Sequence, residues 1–546
     1  MLNAVKNKLT NFKHFTALGL SILYGFYLLY PLTPWLRLNN YSEKPLPFFP
    51  YSDTSFYLLQ IKFLIDNEGN YRNPYFYEHS DSVMSISDSY FIWVWSAFAR
   101  LLSLDAIQVY ILLMFITGLV TYLVIYTIFN GLKLTFAKSN LISAITTFWL
   151  LPIAAMGRPS PTQTTLWIVL LCVFRLSKHV SMRNSVFPWD IVFILSILFL
   201  FNGIYALYIC TFAFLLAIFY SDFRKKYIYF IFPISLLGAY YTTLTKFVTS
   251  IESRDLRNRL GFLDTHLPGS LRLTILTVLI GSLLVVINNF NDNVKIYSIA
   301  IFALPIAANQ NVLSGKWWQP EAHYWFLMIV LIAVGSYVLF CYFLEKIRIS
   351  KLYFYSKSLF VLILFFGLLQ VFLNANDLKN QTEKGSRLNN EKFTILQQLK
   401  YSGIKNQVVL ESSETGSVNL PEEVLLLTDT FLYWNSLGGL YESTDTEILE
   451  RFACTINKED YTYSDLTKDS REIYIYRFLN PDMFFPKWNH LSDTVKLIER
   501  YSSPKDNILK IDHTKLVKYR VNSCDPYKYK VDWILTKEGK LLRVRM

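Results

Sequence analysis

Several features of familiar soluble classes are scarce or missing in this sequence. Charged residues make up only 17% of the 546 residues, and they seldom interrupt the long apolar runs. We find no metal-ligand spacing, no nucleic-acid-binding motif, no repeat of fixed period and no low-complexity stretch. The lack of repeats excludes solenoids and disfavours inverted-repeat transporters. The scarcity of charge within the runs disfavours ion-coupled transport.

Apolar and aromatic residues are abundant instead. The chain is 53% hydrophobic and has 43 Phe, 37 Tyr and 12 Trp, which is more than soluble proteins usually carry. Its formal charge of +12 would suit a nucleic-acid partner, but Lys and Arg fall mostly between the apolar segments, where membrane topology explains them. The composition predicts a polytopic α-helical membrane protein, with the lipid bilayer as its partner and no nucleic acid.

The five cysteines give no metal motif. Cys172, Cys210 and Cys341 lie in apolar segments, where a free thiol behaves as a small hydrophobic group. Cys454 and Cys524 lie in the polar C-terminal third. They either form a disulfide, if that third is outside the cytoplasm, or are both reduced.

Eleven apolar segments approach the length of about 20 residues that a helix needs to cross the bilayer core. The first follows a basic stretch without a small-residue cleavage site, so we expect an uncleaved span. The segments at 189–201 and 296–309 are short enough to be tilted or re-entrant. The predicted spans are 15–36, 106–129, 139–156, 163–177, 189–201, 203–221, 227–247, 271–289, 296–309, 324–343 and 353–373.

Basic residues follow alternate spans, and short cytoplasmic loops are the ones that carry excess Lys and Arg. This predicts an integral plasma-membrane protein with a cytoplasmic N-terminus. The opposite face then receives the loops 37–105, 248–270 and 310–323, the turn around Arg158 and the region from 374 onward. The residues assigned to the cytoplasmic face are Lys6, Lys8, Lys13, Lys133, Lys138, Arg175, Lys178, Arg183, Arg224, Lys225, Lys226, Lys295, Lys346, Arg348 and Lys351.

The composition changes sharply near residue 374, which predicts two domains. Residues 1–373 form the transmembrane domain, and residues 374–546 form a small α/β domain on the extracytoplasmic side. Strand-like runs at 407–412 and 422–429 and a closing hairpin in VDWILTKEGKLLRVR support the second domain.

A single carboxylate, Asp53, lies among prolines and aromatic rings in LPFFPYSDTSFYLL, just beyond the first span. Partial desolvation would suit it to act as a general base. The same residues also predict that Asp53 caps a helix starting at Thr54. The two interpretations are compatible, because a capped helix also holds the carboxylate still.

Later in this loop, Glu78, His79, Asp81 and Asp88 lie within eleven residues. They either bind a divalent cation, place a second acid near Asp53, or form a solvated acidic loop. Their spacing matches no specific metal motif, so no cofactor is assigned and a divalent cation is the option left open.

Arginines recur on the face predicted to be outside. Arg158, in MGRPSPTQ, either holds a phosphate by a bidentate contact or extends to lipid headgroups. Arg254, Arg257 and Arg259 oppose the inside rule. They either bind the phosphate of a lipid carrier or pair with carboxylates of their own loop.

The segment NQNVLSGKWWQPEAHYW is dense in polar and aromatic groups between two spans. Lys316, Gln319, Glu321 and His323 are candidates to face one cavity. The tryptophans either stack on a sugar ring or form the aromatic belt of a membrane protein. The Gly-Lys pair is no phosphate-binding loop, because the upstream glycine of that motif is missing.

With these loops, the chain resembles the GT-C superfamily of integral membrane glycosyltransferases, which use lipid-phosphate-linked sugars as donors. The similarity rests on the acid in PYSDTSFYLLQIKF soon after the first span, and on the predicted architecture of residues 1–373. The paired acidic motif that some members carry immediately after the first span is missing, so the resemblance implies neither a metal nor a sugar class.

The resemblance implies transfer of a sugar from a polyprenyl-phosphate-type donor to a glycan, lipid or protein acceptor. Asp53 would deprotonate or orient an acceptor hydroxyl that attacks the anomeric carbon with inversion. Arg158 and the arginines at 254–259 would stabilise the departing phosphate. Two alternatives fit the same loops: a transporter or flippase of a lipid-linked or amphiphilic solute, and a polymerase or ligase of surface polysaccharide.

Overall fold

The architecture comes from a computed structural model of the full chain. Helix accounts for 86% of the residues that it describes, which confirms the helical class. The described residues are 2–33, 54–66, 86–132, 134–182, 189–238, 263–264, 266, 271–287, 292–314, 316–317, 320–346, 367, 369–381, 398–401, 407–411, 428, 430–433, 447, 451, 531–535 and 541–544.

The helices are numbered in chain order, and two of them continue as π-helix, over Ile145–Leu150 and Tyr227–Ile231. Residues 232–238 and 369–381 are also helical. The numbered helices are α1 (Leu2–Leu29), α2 (Thr54–Asp66), α3 (Ile86–Leu102), α4 (Ala106–Gly131), α5 (Phe136–Ala144), α6 (Ile153–Met156), α7 (Pro161–Thr164), α8 (Leu166–Ser181), α9 (Trp189–Phe201), α10 (Gly203–Phe219), α11 (Ser221–Lys226), α12 (Leu271–Ile287), α13 (Asp292–Ala308), α14 (Asn311–Ser314) and α15 (Pro320–Lys346).

Three helical stretches are long and apolar enough to cross a membrane: Phe15–Leu32, Ala106–Gly131 and Pro161–Ser181. Large apolar side chains are exposed on the outside of the bundle, including Phe193 and Leu279. Hydrocarbon is the solvent that suits such a surface. These features indicate membrane association. The shorter apolar helices are Tyr90–Leu102, Trp189–Phe201, Gly203–Phe219, Leu273–Val285, Val294–Ala308 and His323–Leu339.

One predicted span, 139–156, is broken in the structure. Its helix passes into a π-helical turn and stops at Leu151 and Pro152, and a separate short helix begins at Ile153. Proline has no amide hydrogen to donate to the helix, which explains the stop. The span predicted at 163–177 is longer, because α7 and α8 follow one another almost without interruption from Pro161. Only the end of the span predicted at 353–373 falls within the described residues.

Helices α1 and α4 approach each other closely through two glycines. A Cβ atom on Gly25 would lie 2.9 Å from the carbonyl oxygen of Phe115, and one on Gly118 would lie 2.9 Å from the Cα atom of Gly25. Small residues let helix backbones approach in this way. The first predicted span therefore packs closely against α4.

Basic residues from three predicted cytoplasmic loops meet at one end of the bundle. The Lys226 ammonium lies 3.0 Å from Nε2 of His179, which joins the end of α8 to α11. The Lys295 ammonium lies 5.5 Å from the ring centroid of Tyr220, which joins α13 to the same region. We call the region of the bundle that contains Lys226 and Lys295 the basic end. Grouping of this kind is what the inside rule leads one to expect.

The strands are numbered in chain order as β1 (Leu263–Asp264), β2 (Lys316–Trp317), β3 (Val408–Glu411), β4 (Phe431–Leu432), β5 (Val531–Leu535) and β6 (Leu541–Arg543). The last four form a sheet in the C-terminal region, in the order β4-β3-β5-β6. Strand β3 runs parallel to β4 and β5, and β6 runs antiparallel to β5. The predicted strand near 407–412 and the closing hairpin are confirmed, whereas the run at 422–429 lies outside the described residues except for Thr428.

An aromatic pair joins the sheet to the helical bundle. The rings of Phe63, on α2, and Phe431, on β4, lie 5.4 Å apart and nearly perpendicular. Close by in the chain, Arg451 is fully buried and donates to the Tyr433 carbonyl, while its guanidinium pairs with Glu447 at 2.9 Å. Pairing and hydrogen bonding of this kind are what make a buried charge tolerable.

Replacing Gly25 with alanine should destabilise the protein by about 1–3 kcal/mol, because the added methyl group meets a backbone oxygen that cannot move without shifting α4. The measurement is the thermal unfolding midpoint of the purified protein in detergent. Gly19→Ala is the matched control on the same helix, since a Cβ atom there meets nothing within 4 Å. Equal midpoints for the two variants would contradict the close helix contact.

Cysteines introduced at Lys178 and Lys225, in a variant whose native cysteines are replaced, should react with a membrane-impermeant maleimide only after the cells are permeabilised. Both residues are exposed at the basic end. Arg100→Cys should react in intact cells. Helix α4 begins just after the Arg100 region and runs about 39 Å to Gly131, which packs on Phe174 near the basic end. The reverse pattern would refute the orientation drawn from the inside rule, and labelling of all three from one side would refute the bundle's arrangement.

Candidate functional site

The candidate site is built around the segment GRPSPTQTT, residues 157–165, which lies inside the helical bundle between α6 and α8. Polar side chains in apolar surroundings are costly unless they form hydrogen bonds, so a buried polar run needs a reason. The buried polar side chains of the segment are Ser160, Thr162, Gln163, Thr164 and Thr165.

Hydroxyl groups in the segment add hydrogen bonds to carbonyls that also accept from backbone amides. Thr164 Oγ1 donates to the Ser160 carbonyl at 2.7 Å, and Thr165 Oγ1 donates to the Pro161 carbonyl. Ser160 also bonds the Gln163 side chain. Serine and threonine often bond the carbonyl four residues earlier in this way. The segment is therefore ordered by its own sequence and does not depend on water for these bonds.

A tyrosine from the neighbouring helix holds the start of the segment. The Tyr110 hydroxyl, on α4, donates to the Gly157 carbonyl at 2.8 Å, and both groups are buried. The same helix packs against α2, which begins at Thr54 as predicted. Helix α4 thus supports both the segment that carries Arg158 and the helix that follows Asp53.

Three helices begin around this segment. Helix α8 continues almost directly from α7, which begins inside the segment at Pro161, and the Thr165 hydroxyl between them accepts a hydrogen bond from Asn202 Nδ2 at 3.3 Å. Asn202 in turn caps α10 by accepting from the Tyr205 amide at 3.2 Å. Helix α15 is joined to them by the Tyr324 hydroxyl, which donates to the Ile204 carbonyl at 2.7 Å. Helix N-termini carry partial positive charge, so their convergence favours an anion.

His323, from the first turns of α15, contacts the segment directly. Its Nδ1 lies 3.0 Å from Thr162 Oγ1. This contact joins two of the predicted outer loops, 156–163 and 310–323, across 161 positions of the chain. His323 is a predicted substrate-binding residue, and Thr162 follows the predicted residue Arg158 in the same turn, so the structure brings these two predicted regions together.

Arg158 adds a formal positive charge, and its side chain is half-buried. In the first turn of α10, the Tyr205 hydroxyl oxygen is buried and makes no hydrogen bond within the described part of the chain. A buried polar atom left unsatisfied costs about 1–3 kcal/mol. A cation, converging helix N-termini and a hydroxyl donor are the chemistry of an oxyanion or phosphate site.

A short ladder joins a third predicted loop to the site. Strand β1 (Leu263–Asp264) pairs antiparallel with β2 (Lys316–Trp317), and Asp264 lies opposite Lys316. The predicted loop 248–270 is therefore hydrogen-bonded to the predicted loop 310–323, which contains His323. Extended backbone at both places explains how two connections between helices meet.

Several predicted site residues lie outside what the structure describes. For Asp88, Lys316 and Glu321 it gives the backbone alone, within α3, β2 and α15. Among the described residues no group of three or more His, Cys, Asp or Glu side chains is arranged to hold a metal ion. The predicted residues outside the described ranges are Asp53, Glu78, Asp81, Arg254, Arg257, Arg259 and Gln319.

Sequence reasoning missed Tyr110, Thr165, Asn202 and Tyr324 as parts of the site. A signal existed for Asn202, because Asn-Gly interrupts two apolar runs and asparagine is a favoured N-cap. The tyrosines stand in apolar helices, where nothing distinguishes them from core residues. Their role follows only from which carbonyl each hydroxyl reaches.

Comparison with protein-family models finds no match for the chain, and comparison with curated proteins finds none either. The function therefore has to be argued from the chemistry of the site.

A double-mutant cycle with Thr162→Val and His323→Ala should give a coupling energy of about 0.5–1.5 kcal/mol in the free energy of unfolding, because each change removes the same hydrogen bond. The control cycle pairs His323→Ala with Thr211→Val, since the Thr211 hydroxyl donates to the Leu207 carbonyl of its own helix. Coupling that is equal in the two cycles would show that Thr162 and His323 do not interact.

Proposed function

We propose that this chain is an integral membrane glycosyltransferase that moves a sugar from a polyprenyl-phosphate-type donor to an acceptor on the extracytoplasmic side. The observation that carries the proposal is the set of phosphate-binding groups in the 157–165 segment. Arg158 belongs to this segment, which also contains buried hydroxyl groups and lies where three helices begin. This end of the bundle is opposite the basic end. A lipid donor would reach it from the bilayer with its phosphate among these groups.

The proposed reaction is a direct displacement with inversion. The acceptor hydroxyl attacks the anomeric carbon, a new carbon–oxygen bond forms, and the bond from that carbon to the phosphate oxygen breaks. The phosphate leaves with the bonding electron pair, and Asp53 takes the proton of the hydroxyl. Arg158 and the helix N-termini stabilise the negative charge that develops on the phosphate.

Helix α4 gives the proposal its geometry. Asp53 directly precedes Thr54, the first residue of α2, and α2 packs on α4. Tyr110 of α4 holds the start of the Arg158 segment through Gly157. A base and a phosphate-binding cation would then be supported by a single rigid element, as preorganised catalysis requires.

In this proposal residues 1–373 are the transferase domain and residues 374–546 the extracytoplasmic α/β domain. The contact between Phe63 and Phe431 joins the sheet to the last turn of α2, at the opposite end of this helix from Asp53. The two domains would then be linked through the helix that follows the proposed base. The acceptor classes that fit are a glycan, a lipid or a protein.

A second candidate is transport or flipping of a lipid-linked or amphiphilic solute. The interrupted helices at 151–165 favour it, because broken helices whose N-termini face a polar site are a feature of several transporter folds. Transport would move the solute without forming a glycosidic bond. A surface-polysaccharide polymerase or ligase would share the proposed chemistry and differ in its acceptor.

Replacing Asp53 with Asn should lower sugar transfer by about 100-fold or more, because the general base is lost. Arg158→Gln should lower it by a similar factor, because the departing phosphate loses its cation. The measurement uses purified protein in nanodiscs with synthetic decaprenyl-phosphate-linked sugars. Mass spectrometry follows both the released decaprenyl phosphate and the new glycoside.

Two matched controls lie away from the site. Asp66→Asn changes a carboxylate at the other end of α2, where it pairs with Lys62. Arg175→Gln changes an exposed arginine at the basic end, where it pairs with Asp190. Both controls should retain transfer. Wild-type turnover by Asp53→Asn would refute the assignment, solute movement without a glycoside would favour transport, and a ladder of products would indicate polymerisation.

A further inference from the structure

The basic end carries a concentration of cations that the proposed reaction does not use. Around α8, α11 and the start of α13, the described side chains include six cations and only two carboxylates, Asp190 and Asp222. Asp190 is already paired with one of the cations. A surface of this composition attracts anions from the neighbouring membrane or solution. The six cations are Arg175, Lys178, Arg224, Lys225, Lys226 and Lys295.

Lys226 is held in place by an imidazole. Its ammonium lies 3.0 Å from Nε2 of His179, and an ammonium can only donate. The imidazole therefore accepts at Nε2 and carries its proton on Nδ1. Phe223 packs edge-on against the His179 ring at 6.3 Å, which fixes the ring. The Lys226 charge is ordered and half-buried.

Lys295 is a second half-buried ammonium in the same region. It lies over the ring of Tyr220, the residue that immediately precedes α11. Six residues of helix are about 9 Å long, so Lys295 and Lys226 flank the two ends of α11. The contacts that hold the two ammonium groups come from three different helices, α8, α11 and α13.

The cations border exposed apolar side chains. Arg224 donates to the carbonyls of Ala217 and Ile218 at 3.0 and 3.2 Å, which anchors α11 to the last turn of α10. On either side of this anchor, Phe219 is 57% exposed and Ile228 is 53% exposed. A charged strip next to an apolar strip matches a molecule with an anionic head and hydrocarbon chains.

We propose that the basic end binds an anionic phospholipid, with its headgroup phosphate between Lys226 and Lys295 and its acyl chains along the exposed apolar side chains of α10 and the helical segment after Tyr227. The apolar border favours a lipid over a free phosphate, because a soluble anion gains nothing from it. The proposal does not depend on the sugar-transfer reaction.

The test measures lipid binding to the purified full-length protein in dioleoylphosphatidylcholine nanodiscs. Increasing amounts of dioleoylphosphatidylglycerol should give saturable binding in native mass spectra. Lys226→Gln with Lys295→Gln should weaken this binding about thirtyfold, since each cation near an anionic lipid surface contributes about fivefold to sixfold. Lys226→Arg keeps the charge and should retain binding, which separates a charge effect from misfolding.

The matched control removes two cations elsewhere, with Lys62→Gln and Lys379→Gln. Lys379 also lies over a tyrosine ring, that of Tyr30, at 5.6 Å, and Lys62 lies on α2. The control should bind phosphatidylglycerol as the unaltered protein does. Equal binding of the two lipids, equal loss in the control, or full competition by soluble glycerol 3-phosphate would each overturn the proposal.

Discussion

Backbone polar groups that lie among apolar side chains must find their hydrogen-bond partners within the protein, and the rest of this structure depends on that constraint. The helices meet it by themselves, but the break at 151–165 does not. Prolines there remove amide donors, while the hydroxyls of Thr164 and Thr165 add second hydrogen bonds to carbonyls that already accept from backbone amides. Tyr110 of α4 donates to the Gly157 carbonyl. The break is therefore ordered by hydroxyl groups of its own sequence and by one from α4.

The orientation of the helices makes both ends of the bundle favourable to anions, for different reasons. At the basic end the last turns of α8 and α11 carry Lys178 and Lys226, which offset the partial negative charge of helix C-termini. At the opposite end α8, α10 and α15 begin, and in the proposed site their N-termini would act with Arg158.

How much could be predicted from the sequence differs between the secondary structure and the candidate site. Long apolar runs identify helices, and alternation identifies the closing hairpin, because both patterns are local. The break within 139–156 was not predicted, since a π-helical turn has no sequence signature and Pro152 alone does not show where a helix resumes. The contact between Thr162 and His323 joins positions far apart in the chain. Only packing of the whole bundle determines such a pair.

Helix α4 links the packing of the bundle to the candidate site. Its close approach to α1 at Gly25 and Gly118 leaves no room for a side chain, so the two helices have one relative position. Because α4 also packs on α2 and bonds Gly157 through Tyr110, that position is passed on to the helix that follows Asp53 and to the Arg158 segment. A methyl group added at the glycine contact would therefore disturb the spacing of the groups proposed to act on the substrate.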